Sequence, residues 1–256
     1  MGVNLSLDQA CNFDCVYCEV DRRNPPSRTD IDLGQLEHEM KTLIELAISK
    51  ELFGSGPLGM ARLEHQRFND MAFSGDGEPT AAAQFPQAVH VLAGLRKLFS
   101  LDDVKLVLIT NATRFQDARV IEGIDALMDN NGEIWAKLDA GTEGLYGAIN
   151  RSNISYHQII DNLMFASKRW PLVIQTLFLD WGGSPPPQEI QQYIDRIKHL
   201  LDSGAQIKGI HLYTAARPTP LPRAKPLSSA ILDEIANSVK KEIPMTPLDV
   251  FYGPTA

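Results

Sequence analysis

Six short β-branched or apolar runs alternate with six longer helix-patterned stretches along the 256 residues, and this serial order constrains the fold more than any other feature. The strand runs lie at Val3–Asp8, Met71–Ser74, Val104–Thr110, Glu133–Asp139, Leu172–Leu179 and Ile207–Thr214. Helical spacing fills Leu33–Ser49, Gln84–Phe99, Gln116–Asn130, Tyr156–Lys168, Pro187–Ser203 and Leu227–Lys240. Strands separated by helices pair in parallel through right-handed crossovers. Thr113-Arg-Phe-Gln116 has capping-box spacing and Pro187 suits a first helical turn. Pro185–Pro187, and Pro218, Pro220 and Pro222, mark stiff loops after the fifth and sixth strands. No fixed-period repeat or dividing linker interrupts the series, so a single α/β domain over residues 1–256 is expected.

Within the first and fourth strands, apolar and polar residues alternate. Val3, Leu5 and Leu7 oppose Asn4, Ser6 and Asp8; Ile134, Ala136 and Leu138 oppose Trp135, Lys137 and Asp139. The apolar face meets helices. A closed eight-stranded barrel fills its interior with apolar side chains, so a polar inner face predicts an open, partial (βα)6 TIM-like barrel whose lumen holds a polar ligand. A sheet with one solvated face is the alternative, which parallel sheets rarely adopt.

The net charge of −8 and pI near 5.2 argue against a broad nucleic-acid surface and favour a small molecule, a peptide or a protein as partner. No stretch reaches membrane-spanning length and the first residues lack a signal pattern, so a cytoplasmic address is expected.

All three cysteines fall in Cys11-Asn-Phe-Asp-Cys15-Val-Tyr-Cys18, directly after the first strand. An odd, clustered count does not make a disulfide framework. Zinc usually takes four ligands in a structural site, and neither a fourth cysteine nor a paired histidine near His65 supplies one. A four-iron, four-sulfur cluster suits three thiolates, because one iron then keeps an open position for a small molecule.

At these residues the chain resembles the radical S-adenosylmethionine (radical SAM) superfamily, whose signature is Cys-x3-Cys-x2-Cys with an aromatic, here Tyr17, before the last cysteine. The resemblance runs over nearly the whole chain. It implies a [4Fe-4S] cluster on Cys11, Cys15 and Cys18, and reductive cleavage of S-adenosylmethionine to a 5′-deoxyadenosyl radical that abstracts hydrogen from a substrate. An electron donor such as flavodoxin or ferredoxin is implied with it. Ser74-Gly75-Asp76-Gly77-Glu78-Pro-Thr is similar to the family's Gly-Gly-Glu segment, which holds the cofactor's ammonium; Asp76 replaces the second glycine, and a simple tight turn is the competing reading. Asn111 ends the third strand as a candidate cofactor contact or a turn residue.

Asp139 and Gln175 are further cofactor candidates, and Lys137, Tyr213 and Arg217 candidate catalytic or substrate residues. Lys137 and Asp139 share a strand face and either pair with one another or meet a ligand. The segments Asn4-Leu-Ser-Leu and His211-Leu-Tyr-Thr-Ala-Ala-Arg217-Pro are similar to the tRNA wyosine-forming subgroup. The second-cluster cysteines of those enzymes are missing and the acidic pI suits tRNA poorly, so their substrate does not carry over. Members of that subgroup carry residues before the first strand, whereas this chain reaches its strand at Val3, as a late start or a trimmed chain would give. Activation of a glycyl-radical protein and modification of peptide or RNA are alternatives within this chemistry. A noncatalytic iron–sulfur carrier or sensor is the alternative outside it, and four thiolates would serve that better than three.

Overall fold

A computed structural model describes residues 1–23, 30–54 and 56–253. The chain begins with strand β1 (Gly2–Val3), helix α1 (Leu33–Ile48), the single turn α2 (Gly56–Gly59) and strand β2 (Asp70–Phe73). Helix α3 (Phe85–Leu98), strand β3 (Lys105–Thr110), helix α4 (Ala118–Met128) and strand β4 (Gly132–Lys137) follow. Next come helices α5 (Glu143–Ile149) and α6 (Tyr156–Arg169), and strands β5 (Leu172–Leu177) and β6 (Leu179–Trp181). Helix α7 (Pro187–Asp202), strands β7 (Ile207–Tyr213) and β8 (Ala224–Pro226), helix α8 (Ser229–Glu242) and strand β9 (Leu248–Phe251) complete it.

Seven strands form one sheet in the order β1-β2-β3-β4-β5-β7-β9, and every neighbouring pair is parallel. Among the described residues the edge strands β1 and β9 are not joined, so the architecture is the open, partial α/β barrel that the alternation predicts. β6 and β8 form a separate antiparallel ribbon, Leu179 opposite Pro226 and Trp181 opposite Ala224.

Packing follows the two periods. Met71, Phe73, Leu106, Leu108, Ile134, Ala136, Leu172 and Ile174 are fully buried on the helix side of the strands. Val89 and Leu92 of α3, Ile124 and Leu127 of α4, and Ile194 and Ile197 of α7 meet them, each pair at three-residue spacing. Each such Val, Leu, Ile, Met or Phe side chain contributes about 1.5–3 kcal/mol by leaving water. Among the described residues, no helix is long and apolar enough to cross a membrane.

The structure corrects several boundaries. The first strand is two residues long, not Val3–Asp8, because Asn4 Oδ1 accepts the Ser6 amide at 3.0 Å and the Gln9 amide returns to Ser6 O at 2.9 Å, turning the chain. The strand expected at Leu172–Leu179 divides into β5 and β6. The expected capping box does not form: α4 starts two residues later on Asp117, whose side chain accepts the Arg119 amide. Thr113 Oγ1 instead donates to Asn111 Oδ1 at 2.7 Å. Pro187 does occupy the first turn of α7. A seventh parallel strand, β9, and the helix α5 add to the six expected units.

Candidate functional site at the carboxyl ends of the strands

Because the strands are parallel, the loops after β1, β2, β3 and β4 all emerge on one side. The cysteine loop is the first of these. Its turn is closed by the Cys18 amide donating to Cys15 O at 2.9 Å. The segment after α5 braces it residue by residue: Asp14 N donates to Asn150 O at 3.0 Å, Val16 N to Ile149 O at 2.9 Å, and Ser152 Oγ to Asn12 O at 2.8 Å. Phe13 packs edge-on to Tyr146 and Val16 is buried beside Ile149 and Leu177. All three cysteines are free and half-buried.

Each sulfur receives one side-chain N–H. Asn111 Nδ2 donates to Cys11 at 3.8 Å, Asn150 Nδ2 to Cys15 at 3.5 Å and Arg22 Nη1 to Cys18 at 3.2 Å. The Phe13 amide adds a second donor to Cys11 at 3.5 Å. Burial pushes the Cys11 thiol up, and burial together with the Asp139 carboxylate pushes Cys15 up to about 12. Burial opposes the charge on Arg22, but the Cys18 sulfur outweighs it and raises the guanidinium.

Among the described residues, no three His, Cys, Asp or Glu side chains are grouped to hold a single metal ion. A four-iron cube takes one thiolate per iron, at separate corners, so the fit rests on the chemistry of the donors. An N–H bond to a sulfur favours its charged form, but burial outweighs it at Cys11 and Cys15, so iron would have to displace their protons on binding. A cavity of about 500 Å³ opens beside Cys15 and Cys18, with Arg22, Arg23 and Arg151 also in its lining. The three cysteines fit a cluster on these grounds.

The glycine segment after β2 packs on the chain's own first loop. Gly75 has φ +147, and a Cβ there would lie 2.5 Å from Asn4 Oδ1; one on Gly77 would lie 2.2 Å from Ala10 O. Ser74 N donates to Val3 O, and Asn4 Nδ2 donates to Asp76 Oδ2 at 3.1 Å. Arg22 reaches this segment too, donating to Asp76 O at 3.0 Å and Gln9 O at 3.0 Å. Glu78 is buried. Its Oε1 accepts Thr80 N at 3.1 Å, Thr80 Oγ1 at 2.6 Å and Thr110 Oγ1 at 2.7 Å, and its Oε2 accepts Asn111 N at 2.7 Å. Burial raises its pKa against the pull of these donors. Glu78 thus ties the ends of β2 and β3 together.

Inside the sheet, the polar face is filled by its own side chains. Asp139 Oδ2 accepts Tyr17 Oη at 2.5 Å and Asn150 Nδ2 at 2.9 Å; Oδ1 accepts the Leu177 amide at 2.9 Å and lies 3.0 Å from Lys137 Nζ. Lys137 Nζ donates to Tyr213 Oη and sits 5.1 and 4.8 Å from the Tyr17 and Tyr213 ring centres. Tyr213 Oη lies 3.4 Å from Gln175 Oε1. Burial works against the Lys137 charge, but Asp139 and Tyr213 outweigh it and raise the ammonium; burial drives Tyr17 well up and raises Tyr213. At the other end of the same face Glu133 accepts Lys105 at 3.0 Å, Lys208 at 2.5 Å and Trp135 Nε1 at 2.8 Å.

The structure therefore brings Cys11, Cys15, Cys18, Tyr17, Asn111, Asp139, Lys137, Gln175 and Tyr213 into one connected region, with Ser74–Glu78 alongside. Arg217 is exposed and pairs at 3.2 Å with Glu19, which follows Cys18 and lines the same cavity. Sequence reasoning missed Arg22, Asn150 and Asn12. Arg22 carried a faint signal, a cation four residues beyond the last cysteine; Asn150 carried none, being 135 residues from Cys15.

The fold is similar to that of solved radical SAM proteins. A radical SAM methyltransferase from Sphaerobacter thermophilus matches with TM-score 0.64 at 12% identity, over 98% of this chain and 66% of that one. Archaeal TYW1 matches with TM-score 0.53 at 14% identity, over 89% of this chain and 69% of that one. The chain thus spans about two-thirds of the length of each of these structures. No family model and no curated protein matches it.

Proposed function

We propose that the chain is a radical SAM enzyme in which Cys11, Cys15 and Cys18 hold a [4Fe-4S] cluster. The observation that carries this is the pairing of each cysteine sulfur with its own N–H donor, at the carboxyl ends of an unclosed parallel sheet. When bound, the cluster would supply the electron that cleaves S-adenosylmethionine to a 5′-deoxyadenosyl radical. The residues around it bind and orient. Ser74–Glu78 and Asn111 frame the cofactor side. Tyr17, Asp139 and Gln175 line its approach to the lumen, where Lys137 and Tyr213 present an ammonium and a phenol to the substrate. Arg217 stands at the rim, where it meets an incoming substrate or electron donor. The substrate is a small molecule, a peptide or a protein, and the reductant a flavodoxin or ferredoxin.

Three thiolates favour this over an electron carrier, which gains from a fourth. The test is anaerobic reconstitution followed by dithionite and S-adenosylmethionine, with 5′-deoxyadenosine quantified by chromatography. Roughly four irons per chain and release of 5′-deoxyadenosine are expected. A Cys11, Cys15, Cys18 triple alanine variant that keeps the wild-type iron content sinks the assignment.

A further inference from the structure

The donors at the three sulfurs are not loose side chains that drifted toward them. Asn150 is buried, and its Nδ2 faces the Asp139 carboxylate at 2.9 Å as well as Cys15; a carboxylate only accepts, which fixes the amide's orientation. Asn111 Oδ1 accepts the Thr113 amide and hydroxyl, and its Nδ2 donates to Asn12 Oδ1 at 2.7 Å, so the amide hydrogens are turned toward Cys11. Arg22 is aimed by two backbone carbonyls, Gln9 O and Asp76 O. Each donor is thus held by a second, independent bond. Three donors from three different segments serve three sulfurs, one each.

A hydrogen bond to a ligating sulfur withdraws negative charge from the cluster, and a nearby cation does so more strongly. Both make an added electron easier to accommodate. We infer that Asn111, Asn150 and Arg22 are positioning residues that set the reduction potential of the cluster, Arg22 most strongly because it alone carries a full charge. This rests on the cluster reading given above. It adds a sulfur-donor role to Asn111, and assigns a role to Arg22 and Asn150.

The experiment is a potentiometric titration with dithionite on anaerobically reconstituted protein, followed by electron paramagnetic resonance. Asn111→Leu, Asn150→Leu and Arg22→Met are expected to lower the potential, with Arg22→Met lowest and Arg22→Lys between it and the wild type. Potentials that coincide with the wild type overturn the inference. A role confined to holding the fold would move the melting temperature and leave the potential where it was. Should Asn150→Leu fail to fold, the two Arg22 variants decide, because that side chain is only partly buried on a loop. A second readout needs no iron: hydrogen exchange over residues 12–18 of the metal-free protein. Asn150→Leu is expected to speed it by roughly tenfold, the loss of one sizeable hydrogen bond. Unchanged exchange removes Asn150 from the set. Wild-type protein that takes up no iron defeats the function proposed above, and the exchange measurement still judges Asn150.

Discussion

Tyr17 and Asp139 come from opposite ends of the site and meet at 2.5 Å, the phenol of the cysteine loop donating to a carboxylate at the end of β4. Tyr17→Phe removes that donor and leaves Asp139 with Asn150, Leu177 N and Lys137. A hydrogen bond to a charged group is worth about 1.5–3 kcal/mol. For a chain of this length the loss corresponds to a fall of roughly 4–8 °C in melting temperature. Calorimetry on the metal-free variant checks it, and an unchanged transition would mean the contact carries no net weight.

Lys137 bears on the nature of the lumen. A lone lysine in a packed interior would be improved by methionine, but Asp139 lies 3.0 Å away in the same buried space. Lys137→Met strands part of that carboxylate's charge and should cost about 3 kcal/mol. Adding Asp139→Asn removes the stranded charge but turns an amide NH2 toward the Leu177 amide or toward Asn150 and Tyr17, so little of the loss should return. The double-mutant cycle is read by urea denaturation. A stabilised single variant would contradict the pairing.

Gly77 tests the fit between the second and first loops. A Cβ at this position would sit 2.2 Å from Ala10 O and 2.6 Å from the Ser6 side chain. Gly77→Ala must push the chain just before Cys11 outward, at about 1–3 kcal/mol. The expected result is a lower melting temperature together with reduced iron uptake on reconstitution. Full uptake at wild-type stability would show that the first loop yields freely.

Glu133 sets an acid limit. Burial raises its pKa, but Lys208, Trp135 and Lys105 outweigh it and bring it from 4.5 to about 2. A depressed folded-state pKa adds stability above the unfolded value and loses it as the pH falls. The contribution is therefore complete above pH 4.5 and fades toward pH 2. With both lysines half-exposed, screening holds it to about 2 kcal/mol. Glu133→Gln should flatten the acid limb of a stability–pH curve measured by urea melts between those limits. A limb as steep as the wild type would assign acid unfolding to other carboxylates.

Local pattern carried much of the fold. β4 and β7 show their faces in the alternation itself, because burial on one side selects every second residue, whereas β3 and β5 are near-continuous apolar runs of the kind a parallel sheet buries. β9 escaped notice: Leu248–Phe251 are four residues after Pro247, and only pairing with β7 makes them a strand. β1 was overextended because alternation continues through Leu7, while the Asn4 side chain turns the backbone away from the ladder. In the candidate site, the Cys-x3-Cys-x2-Cys loop was legible because it is a local spacing. The donors to its sulfurs were not: Asn111 and Asn150 reach Cys11 and Cys15 across 100 and 135 residues of sequence. Glu78 was legible as a special residue, though its four partners lie within the chain.

The Asp139 carboxylate is a junction of four segments: the cysteine loop through Tyr17, the end of α5 through Asn150, β4 through Lys137 and β5 through Leu177. A surface loop ordinarily opens and closes on its own while the body beneath stays intact. Here the loop's fastening is also the fastening between neighbouring strands. The cysteines accordingly belong to the same cooperative unit as the barrel wall, and the cysteine loop melts with the body that carries it rather than fraying ahead of it.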